Sequence, residues 1–213
     1  MPINAQLLDN PKSDRVRRIA ELTRTKGRRK NGRFLIEGPQ SVREAVRYAS
    51  DIVTDIYVAG DEDGIDSDVL ADIAQRALDK SADLYVHTAT REVIDHISPD
   101  AQGVIAVGDT DKLRSGMKAE VEQASSYSRG MRVAAFWQVR DPGNAGTVIR
   151  AADAAGCDVV VFVDDCVDML NPKVIRSTTG SLFHIPVIAM GTNDFFDWMK
   201  EQGLDVWAAD VYG

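Results

Sequence analysis

Short apolar runs alternate with amphipathic segments along the first half of the chain, and turn residues separate them. The pattern predicts strands at 33–38, 55–59, 83–87 and 103–108, with helices near 41–49, 67–78 and 90–97 between them. Strands that alternate with helices favour parallel pairing through helical crossovers. We therefore expect a small α/β sandwich over residues 1–109.

A basic amphipathic helix precedes this alternation. Ser13 is positioned to cap a helix that runs to about Thr25, with Val16 and Ile19 on its apolar side. That apolar side is short and lacks Trp and Phe, so binding to a membrane surface is disfavoured. Residues 27–32 are predicted to form a turn that leads into the first strand.

The second half repeats the alternation with a valine-rich centre. The pattern predicts strands at 133–137, 157–163, 185–189 and 204–209, and helices after residue 142, after residue 172 and at 194–202. This is typical of a buried parallel sheet. Between the halves, residues 110–130 are polar with few large apolar side chains, which favours a linker with at most a helical turn at 117–124. The second α/β domain is thus expected at 131–213.

Charge is distributed unevenly along a chain whose net charge is −8. Residues 12–33 carry ten basic and two acidic side chains, a local charge of +8 that leaves −16 for the remainder. The overall sign argues against nucleic-acid binding, whereas the basic segment favours it. A solvated helix face explains the same run of charge, so both interpretations stay open at this point.

Several other classes of function lack their signature. No signal region and no apolar run of transmembrane length occur, so the cytoplasm is the expected location. Cys157 and Cys166 lack the spacing of metal ligands, and the three histidines do not adjoin a nucleophile motif, so we expect no metal site and no hydrolytic triad. Neither a Walker loop nor a dinucleotide-binding glycine pattern is present.

The stretch 141–156 carries the strongest local signal, because it joins two predicted strands of a parallel sheet. Pro142 breaks the chain, Asn144 is a candidate helix cap, and Gly146 permits close backbone approach. Ligands bind beyond the carboxyl ends of such strands, where this loop must lie. Arg150 is unusual on a helix of small and apolar residues. It either pairs with Asp153 on the next turn or serves as a fixed cation for phosphate or oxyanion charge.

Two segments of the second half carry a family resemblance. The segment Asp141-Pro-Gly-Asn-Ala-Gly-Thr-Val-Ile-Arg-Ala-Ala-Asp-Ala-Ala-Gly156 resembles the first signature of the SpoU/TrmH family of RNA ribose 2′-O-methyltransferases, in the SPOUT class. The segment Asn171-Pro-Lys-Val-Ile-Arg-Ser-Thr-Thr-Gly-Ser-Leu-Phe-His-Ile-Pro-Val187 is more loosely similar to the second signature. The N-terminal half is similar to the ribosomal-protein-like substrate-recognition domain of this family, in which a basic stretch precedes a strand such as Phe34-Leu-Ile-Glu-Gly38.

The resemblance implies a reaction, a cofactor and a set of site residues. The reaction is methyl transfer from S-adenosylmethionine to a ribose 2′-hydroxyl of structured RNA, with ribosomal RNA favoured over transfer RNA. A homodimer through the second domain is also implied. Arg150 and Asn144 match catalytic positions, Ala209 and Asp210 are candidates for the cofactor site, and the RNA-binding candidates are Arg28, Arg29, Lys30 and Arg33. Guanidinium is a poor base, so orienting the ribose and stabilising alkoxide charge is the favoured role for Arg150.

The resemblance also predicts a part that the sequence does not contain. Family members continue into a Gly-Asn-Glu-Gly-like loop and an Ile-Pro…Ser-Leu-Asn segment, which form a knot and most of the cofactor site. The sequence stops at Gly213, before either motif. We therefore expect a SPOUT domain whose knot region is missing or truncated. A non-catalytic RNA-binding protein with a degenerate SPOUT domain is the alternative.

Overall fold

The computed structural model describes residues 3–80 and 83–209. In chain order, the elements of the first half are β1 (Ile3–Leu8), α1 (Asp14–Glu21), α2 (Thr25–Asn31), β2 (Arg33–Glu37), α3 (Pro39–Tyr48), β3 (Val53–Ala59), α4 (Asp68–Lys80), β4 (Tyr85–Ala89), α5 (Arg91–Ile97) and β5 (Val104–Asp109). Those of the second half are α6 (Thr110–Ser125), β6 (Val133–Trp137), α7 (Pro142–Ala154), β7 (Val159–Val163), α8 (Pro172–Ser177), β8 (Val187–Met190) and α9 (Thr192–Glu201). Short 3-10 turns lie at Ser50–Ile52 and Ser181–Phe183.

The first sheet is mixed, with strand order β1-β4-β3-β5-β2. The strands β1, β4 and β3 pair in parallel, whereas β5 runs antiparallel to both of its neighbours. The prediction of parallel pairing was therefore wrong for β5. A crossover helix must span the length of a strand, and the seven residues of α5 cover only about 10 Å. The chain consequently enters β5 at the edge of the sheet where β4 ends.

The strand β1 was not predicted, because Asn4 and Gln6 interrupt its apolar character. It forms the edge of the first sheet, with Ile3 opposite Val86 and Leu8 opposite Ala89. An edge strand tolerates polar positions because one side of its backbone faces solvent. The alternation of apolar and polar residues over this short edge strand was therefore too weak to predict β1.

The basic segment folds as two helices. In α1, the Ser13 hydroxyl accepts a hydrogen bond from the backbone N–H of Val16. Val16 and Ile19 are buried, as the sequence predicted. The turn predicted at 27–32 is instead the helix α2, which ends at Gly32 with φ of +61°. A row of arginine and lysine residues has good helix propensity, and the left-handed cap favours glycine.

The second sheet is fully parallel, with strand order β6-β7-β8. All five residues of β7 are buried. Its even-numbered residues Val160 and Phe162 pack in the same core as residues of α7 and α8. The odd-numbered residues Val159, Val161 and Val163 pack with residues of α6 and α9. Two layers of helices therefore enclose the sheet, as its unbroken apolar run indicated.

The segment 110–130, predicted as a linker, begins with the sixteen-residue helix α6. Its cap is Asp109, whose Oδ1 accepts the backbone N–H groups of Asp111 and Lys112 at 3.0 Å each. Leu113 belongs to the larger core, and Val121 belongs to the core on the other side of the second sheet. Four buried apolar positions at helical spacing were enough to anchor a helix that is otherwise mostly polar.

Residues 204–209, which the sequence predicted as a strand, do not form one. The Leu204 N–H bonds to the carbonyl of Met199, and no hydrogen bond joins this described segment to β6. Trp207 is 93% exposed. Apolar composition predicted a strand here, but a strand also needs a hydrogen-bonded neighbour.

The two halves share one packed core. The larger cluster of buried apolar residues includes strands of the first sheet together with α7, α8 and β7. Among the described residues, four contacts between oppositely chargeable side chains cross between the halves: Arg28 with Asp168, Arg176 with both Glu37 and Asp100, and His184 with Glu44. The helix α8 packs directly against β2. This contact places the first half beside the elements that carry the candidate active site.

Candidate active site

Asp141 fixes the start of α7. Its Oδ1 accepts the backbone N–H of Asn144 at 2.8 Å, and Pro142 occupies the first helical turn. The cap is therefore Asp141, and the prediction that Asn144 caps the helix was wrong. Asn144 is exposed, and its side chain makes no hydrogen bond with any described residue. Its amide is thus available to a ligand.

The helices α7 and α8 meet at Gly146. A Cβ atom at Gly146 would lie 1.9 Å from Oγ of Ser177, so only glycine fits without a shift. The same hydroxyl donates to the carbonyl of Pro142 at 2.8 Å and ties α8 to the start of α7. At the start of α8, Asn171 Oδ1 accepts the N–H of Lys173 at 3.0 Å, as predicted for a cap before a helical proline. The predicted close approach at Gly146 is confirmed.

Arg150 lies exposed in the middle of α7. Its guanidinium makes no ion pair or hydrogen bond with any described residue. Asp153, the partner that a structural role would require, instead lies 3.0 Å from Nδ1 of His184. The Arg150–Asp153 pair is therefore absent, and the structure leaves Arg150 free to bind an anion or a developing negative charge.

Arg28 lies in the interior rather than on the surface. It is 4% exposed, and its guanidinium contacts Asp168, with Nη2 and Oδ2 2.6 Å apart. The remaining N–H groups donate to Asp168 again, to the carbonyls of Leu22 and Thr23, and to the hydroxyl of Thr25. All five donors thus have protein partners. We assign Arg28 a structural role between the halves, in place of the predicted RNA contact.

The other candidates for RNA binding differ in whether their side chains already have a partner within the protein. Arg29 and Lys30 are exposed and have no side-chain partner within the described part of the chain. Arg33 donates to Asp109 at 2.8 Å, so its charge is already partly compensated. The sequence placed all four cations in one surface, whereas the structure leaves Arg29 and Lys30 for a ligand.

The cofactor candidates lie at the end of the described chain. Ala209 is exposed, and its backbone N–H and C=O have no hydrogen-bond partner among the described residues. Asp210 lies outside the described residues.

A cleft of about 350 Å³ lies between the two halves at the carboxyl ends of β7 and β8. Among its lining residues, Asp164 accepts hydrogen bonds from the hydroxyl and the backbone N–H of Thr192. These hydrogen bonds lower the pKa of Asp164 below its ordinary value. The rim includes Arg114 of α6, which the sequence gave no reason to select because that segment was interpreted as a linker.

The part of the chain that the structure describes contains neither a cluster of metal ligands nor a membrane-spanning helix. No group of three or more His, Cys, Asp and Glu side chains is arranged to hold a metal ion. No described helix combines the length and apolar character needed to cross a membrane.

Both halves of the chain match known families. Residues 131–213 match the SpoU rRNA Methylase family, and residues 13–106 match the MRM3-like substrate binding domain. These limits agree with the two α/β units of the structure. Helix α6 lies between them.

Curated relatives extend the match over most of the chain. The 23S rRNA (guanosine(2553)-2'-O)-methyltransferase RlmP of Bacillus subtilis is 33% identical over 200 residues, which is 94% of this chain and 71% of that protein. The 23S rRNA (uridine(2479)-2'-O)-methyltransferase of Streptomyces viridochromogenes is 28% identical over 180 residues. That match covers 81% of this chain and 56% of the relative.

Solved structures have the same fold. The AdoMet-bound rRNA methyltransferase from Sinorhizobium meliloti superposes with a TM-score of 0.72 at 24% identity, covering 94% of this chain and 69% of that chain. An RNA 2'-O ribose methyltransferase gives a TM-score of 0.69 at 25% identity, covering 93% of this chain and 71% of that chain. The identity to RlmP over most of both proteins and the match at 131–213 show that the chain belongs to the SpoU rRNA Methylase family.

Proposed function

We propose that this chain transfers a methyl group from S-adenosylmethionine to a ribose 2′-hydroxyl of ribosomal RNA, and that Arg150 contacts the reacting nucleotide. The observation that carries the proposal is the free guanidinium of Arg150 on a helix that belongs to the SpoU match. The relatives named above support ribosomal RNA, because both are 23S rRNA 2'-O-methyltransferases. The proposed reaction takes place in the cytoplasm.

Arg150 stabilises negative charge on the ribose. When bound, S-adenosylmethionine would supply the ribose O2′ with a methyl group on a positively charged sulfur, and the neutral thioether would be the leaving group. The O2′ proton must leave, and a guanidinium that stays protonated cannot accept it. Arg150 therefore donates hydrogen bonds to the ribose or its phosphate, while a different group accepts the proton.

Asn144 holds a second point of the nucleotide. It precedes Arg150 by six residues on α7, which places the two about 9 Å apart along the helix axis. Six residues also turn the helix by about 600°, so the two side chains point about 120° apart and suit contacts with different groups of the bound RNA. The Ser177 hydroxyl holds the start of α7, where Asn144 lies, against α8.

Ala209 is proposed to contact S-adenosylmethionine through its free backbone groups. Asp210, which lies outside the described residues, is likewise proposed to contact S-adenosylmethionine. In the first half, Arg29 and Lys30 are proposed to bind phosphates of the RNA. Their high exposure suits contacts that position the RNA without reading its sequence.

We further propose a homodimer through the second half. Trp137 and Phe196 are each 43% exposed, and their rings lie 5.9 Å apart between β6 and α9. Exposed aromatic side chains at a sheet edge are typical of a surface that another protein covers. Sedimentation of the intact protein at several concentrations tests this proposal, and a monomer throughout would contradict it.

Methylation of RNA tests the proposed function. The protein is incubated with labelled S-adenosylmethionine and an in vitro transcript of 23S ribosomal RNA, and the modified nucleotide is mapped by its resistance to alkaline cleavage. We expect an alkali-resistant linkage at one position. A transcript with a 2′-deoxy nucleotide at that position should accept no methyl group. RNA binding without any transfer would contradict the proposal.

A further inference from the structure

A groove with a basic rim lies between α3 and α4, on the first half of the chain. Its volume is about 530 Å³, and its floor consists of the buried side chains Val46 and Ile73. The charged residues that line it are Arg43, Arg47, Arg76, Asp79 and Lys80. None of its four cations belongs to the basic segment 12–33 that the sequence singled out.

The groove keeps an excess of positive charge after its internal contacts are counted. Arg76 pairs with Asp72, with Nε and Oδ2 2.8 Å apart, and Asp79 accepts a hydrogen bond from Gln75. Among the described residues, Lys80 has no side-chain partner, and Arg47 contacts the ring of Tyr48 and makes no hydrogen bond or ion pair through its guanidinium. Two cations are therefore free to bind a ligand in a protein whose net charge is −8.

A chain of contacts connects this groove to the helix of Arg150. The Arg47 guanidinium lies 5.1 Å from the ring centroid of Tyr48, and that ring lies 4.4 Å from the ring of His184. His184 in turn lies 3.0 Å from Asp153, three residues after Arg150 on α7. Side-chain contacts thus connect the groove to the helix that carries Arg150.

Tyr48 lies between Arg47 and His184 in this series of contacts and is 53% exposed. Its ring meets His184 edge to face, with an interplanar angle of 63°. A half-exposed ring beside a free cation is the combination that binds single-stranded nucleic acid, because bases stack on the ring while cations hold the phosphates. The charge and the exposed ring together therefore favour RNA over a small anion.

We propose that the groove between α3 and α4 binds backbone phosphates of the substrate RNA through Arg47 and Lys80, and that Tyr48 stacks with a base on the path toward Arg150. This proposal rests on the proposed methylation of RNA. It adds a second RNA-contacting surface to the one formed by Arg29 and Lys30, on the side of the first half that adjoins α7.

The salt dependence of RNA binding tests the groove. In the double variant Arg47→Gln and Lys80→Gln, we expect about tenfold weaker binding to the 23S rRNA transcript at low salt. The slope of log affinity against log salt should fall by about 2, because each lost phosphate contact removes about one unit. The matched control is Lys118→Gln with Lys200→Gln, two exposed lysines on α6 and α9. The control should keep the wild-type slope.

Replacing Tyr48 by leucine tests the stacking contact separately. We expect weaker RNA binding with an unchanged salt slope, because the substitution removes a ring and no charge. Circular dichroism of every variant should match that of the wild type, since the three altered side chains are exposed. RNA affinity that stays unchanged in Y48L would remove the base-stacking contact from the proposal.

The possible outcomes distinguish a failure of the proposed RNA-binding groove from a failure of the proposed methylation. Wild-type methylation together with an unchanged affinity and slope in R47Q/K80Q would overturn the groove and leave the function intact. RNA binding by R47Q/K80Q would also stay unchanged if the groove binds an acidic protein partner instead of RNA. A reduced slope without methylation by the wild type would support the groove and contradict the function.

Discussion

Arg150 shows how far a single position can be understood from the chain alone. A cation among small residues predicted either a helix pair with Asp153 or a functional group, and the sequence could not choose between them. The choice depends on His184, which comes from a later segment and binds Asp153. Asp153 is bound by a residue from a distant segment and is therefore not paired with Arg150. Only the structure could show this contact and so decide between the two roles of Arg150.

Gly146 sets the spacing between α7 and α8, and its replacement by alanine tests that contact. The new Cβ would overlap Ser177, so we expect the free energy of unfolding to fall by about 2–3 kcal/mol. Gly116 on α6 has open space around it and gives the matched control. G116A should raise stability by roughly 0.5–1 kcal/mol through helix propensity. Urea titration followed by circular dichroism measures both, and equal effects of the two substitutions would contradict this account.

Adjacent arginines are expected to behave in opposite ways. Arg28→Ala leaves Asp168 without its buried partner, so unfolding free energy should fall by about 3 kcal/mol. Arg29→Ala removes an exposed side chain, so stability should change by less than about 0.5 kcal/mol while RNA binding weakens. Thermal denaturation and filter binding to the 23S rRNA transcript measure the two effects. An R28A protein of wild-type stability would show that Arg28 is not a structural anchor.

At the level of elements, the sequence predicted most helices and strands but missed what depends on a neighbour. Position-specific signals such as the Ser13 and Asn171 caps were read correctly. The sequence did not predict the antiparallel direction of β5, the edge strand β1 or the helix α6. Each of these features depends on contacts with a neighbouring element. The segment 204–209 has strand composition and lacks a hydrogen-bonded partner within the described chain.

Asp158 couples the start of β7 to the turn before β6, and this contact should depend on pH. Its carboxylate accepts two hydrogen bonds from Arg129, at 2.9 and 2.5 Å, and the N–H of Arg132 at 2.8 Å. The hydrogen bond from Arg129 is the main cause that holds the pKa of Asp158 below its ordinary value. A lowered carboxyl pKa contributes stability above the unfolded value, near pH 4, and loses it as pH falls through the folded value.

Asp158→Asn should therefore destabilise the protein by about 1–2 kcal/mol at neutral pH. The difference from the wild type should shrink below about pH 4, where the wild-type carboxylate also takes up a proton. Urea titrations between pH 3 and 7 provide the measurement. A difference that is constant over this range would mean that the charge of Asp158 does not contribute.

For the molecule as a whole, the shared core predicts that both halves unfold together. All three tryptophans (Trp137, Trp198 and Trp207) lie in the second half, so their fluorescence reports on that half alone. Ile56→Ala in the first sheet removes a fully buried side chain and should lower unfolding free energy by about 2–5 kcal/mol. We expect the fluorescence transition to shift as far as the transition seen by circular dichroism. An unshifted fluorescence transition would indicate that the halves unfold independently.

The family resemblance and the structure contribute different parts of the functional account. The segment 141–156 was sufficient to predict the reaction and to select Arg150. It could not reveal that Arg28 is buried, or that α3 and α4 form a second basic surface, because residues far apart in the chain meet there. Motifs identify a reaction, whereas the surface that holds the substrate depends on the folded chain.

The rate of methyl transfer by the Arg150→Ala variant tests the central proposal most directly. In single-turnover reactions at saturating 23S rRNA transcript and S-adenosylmethionine, we expect a rate at least about 100-fold below that of the wild type, because a charge-stabilising donor is lost. Lys200→Ala, an exposed cation on α9, should react at the wild-type rate. If R150A transfers the methyl group as fast as the wild type, Arg150 does not contact the reacting ribose.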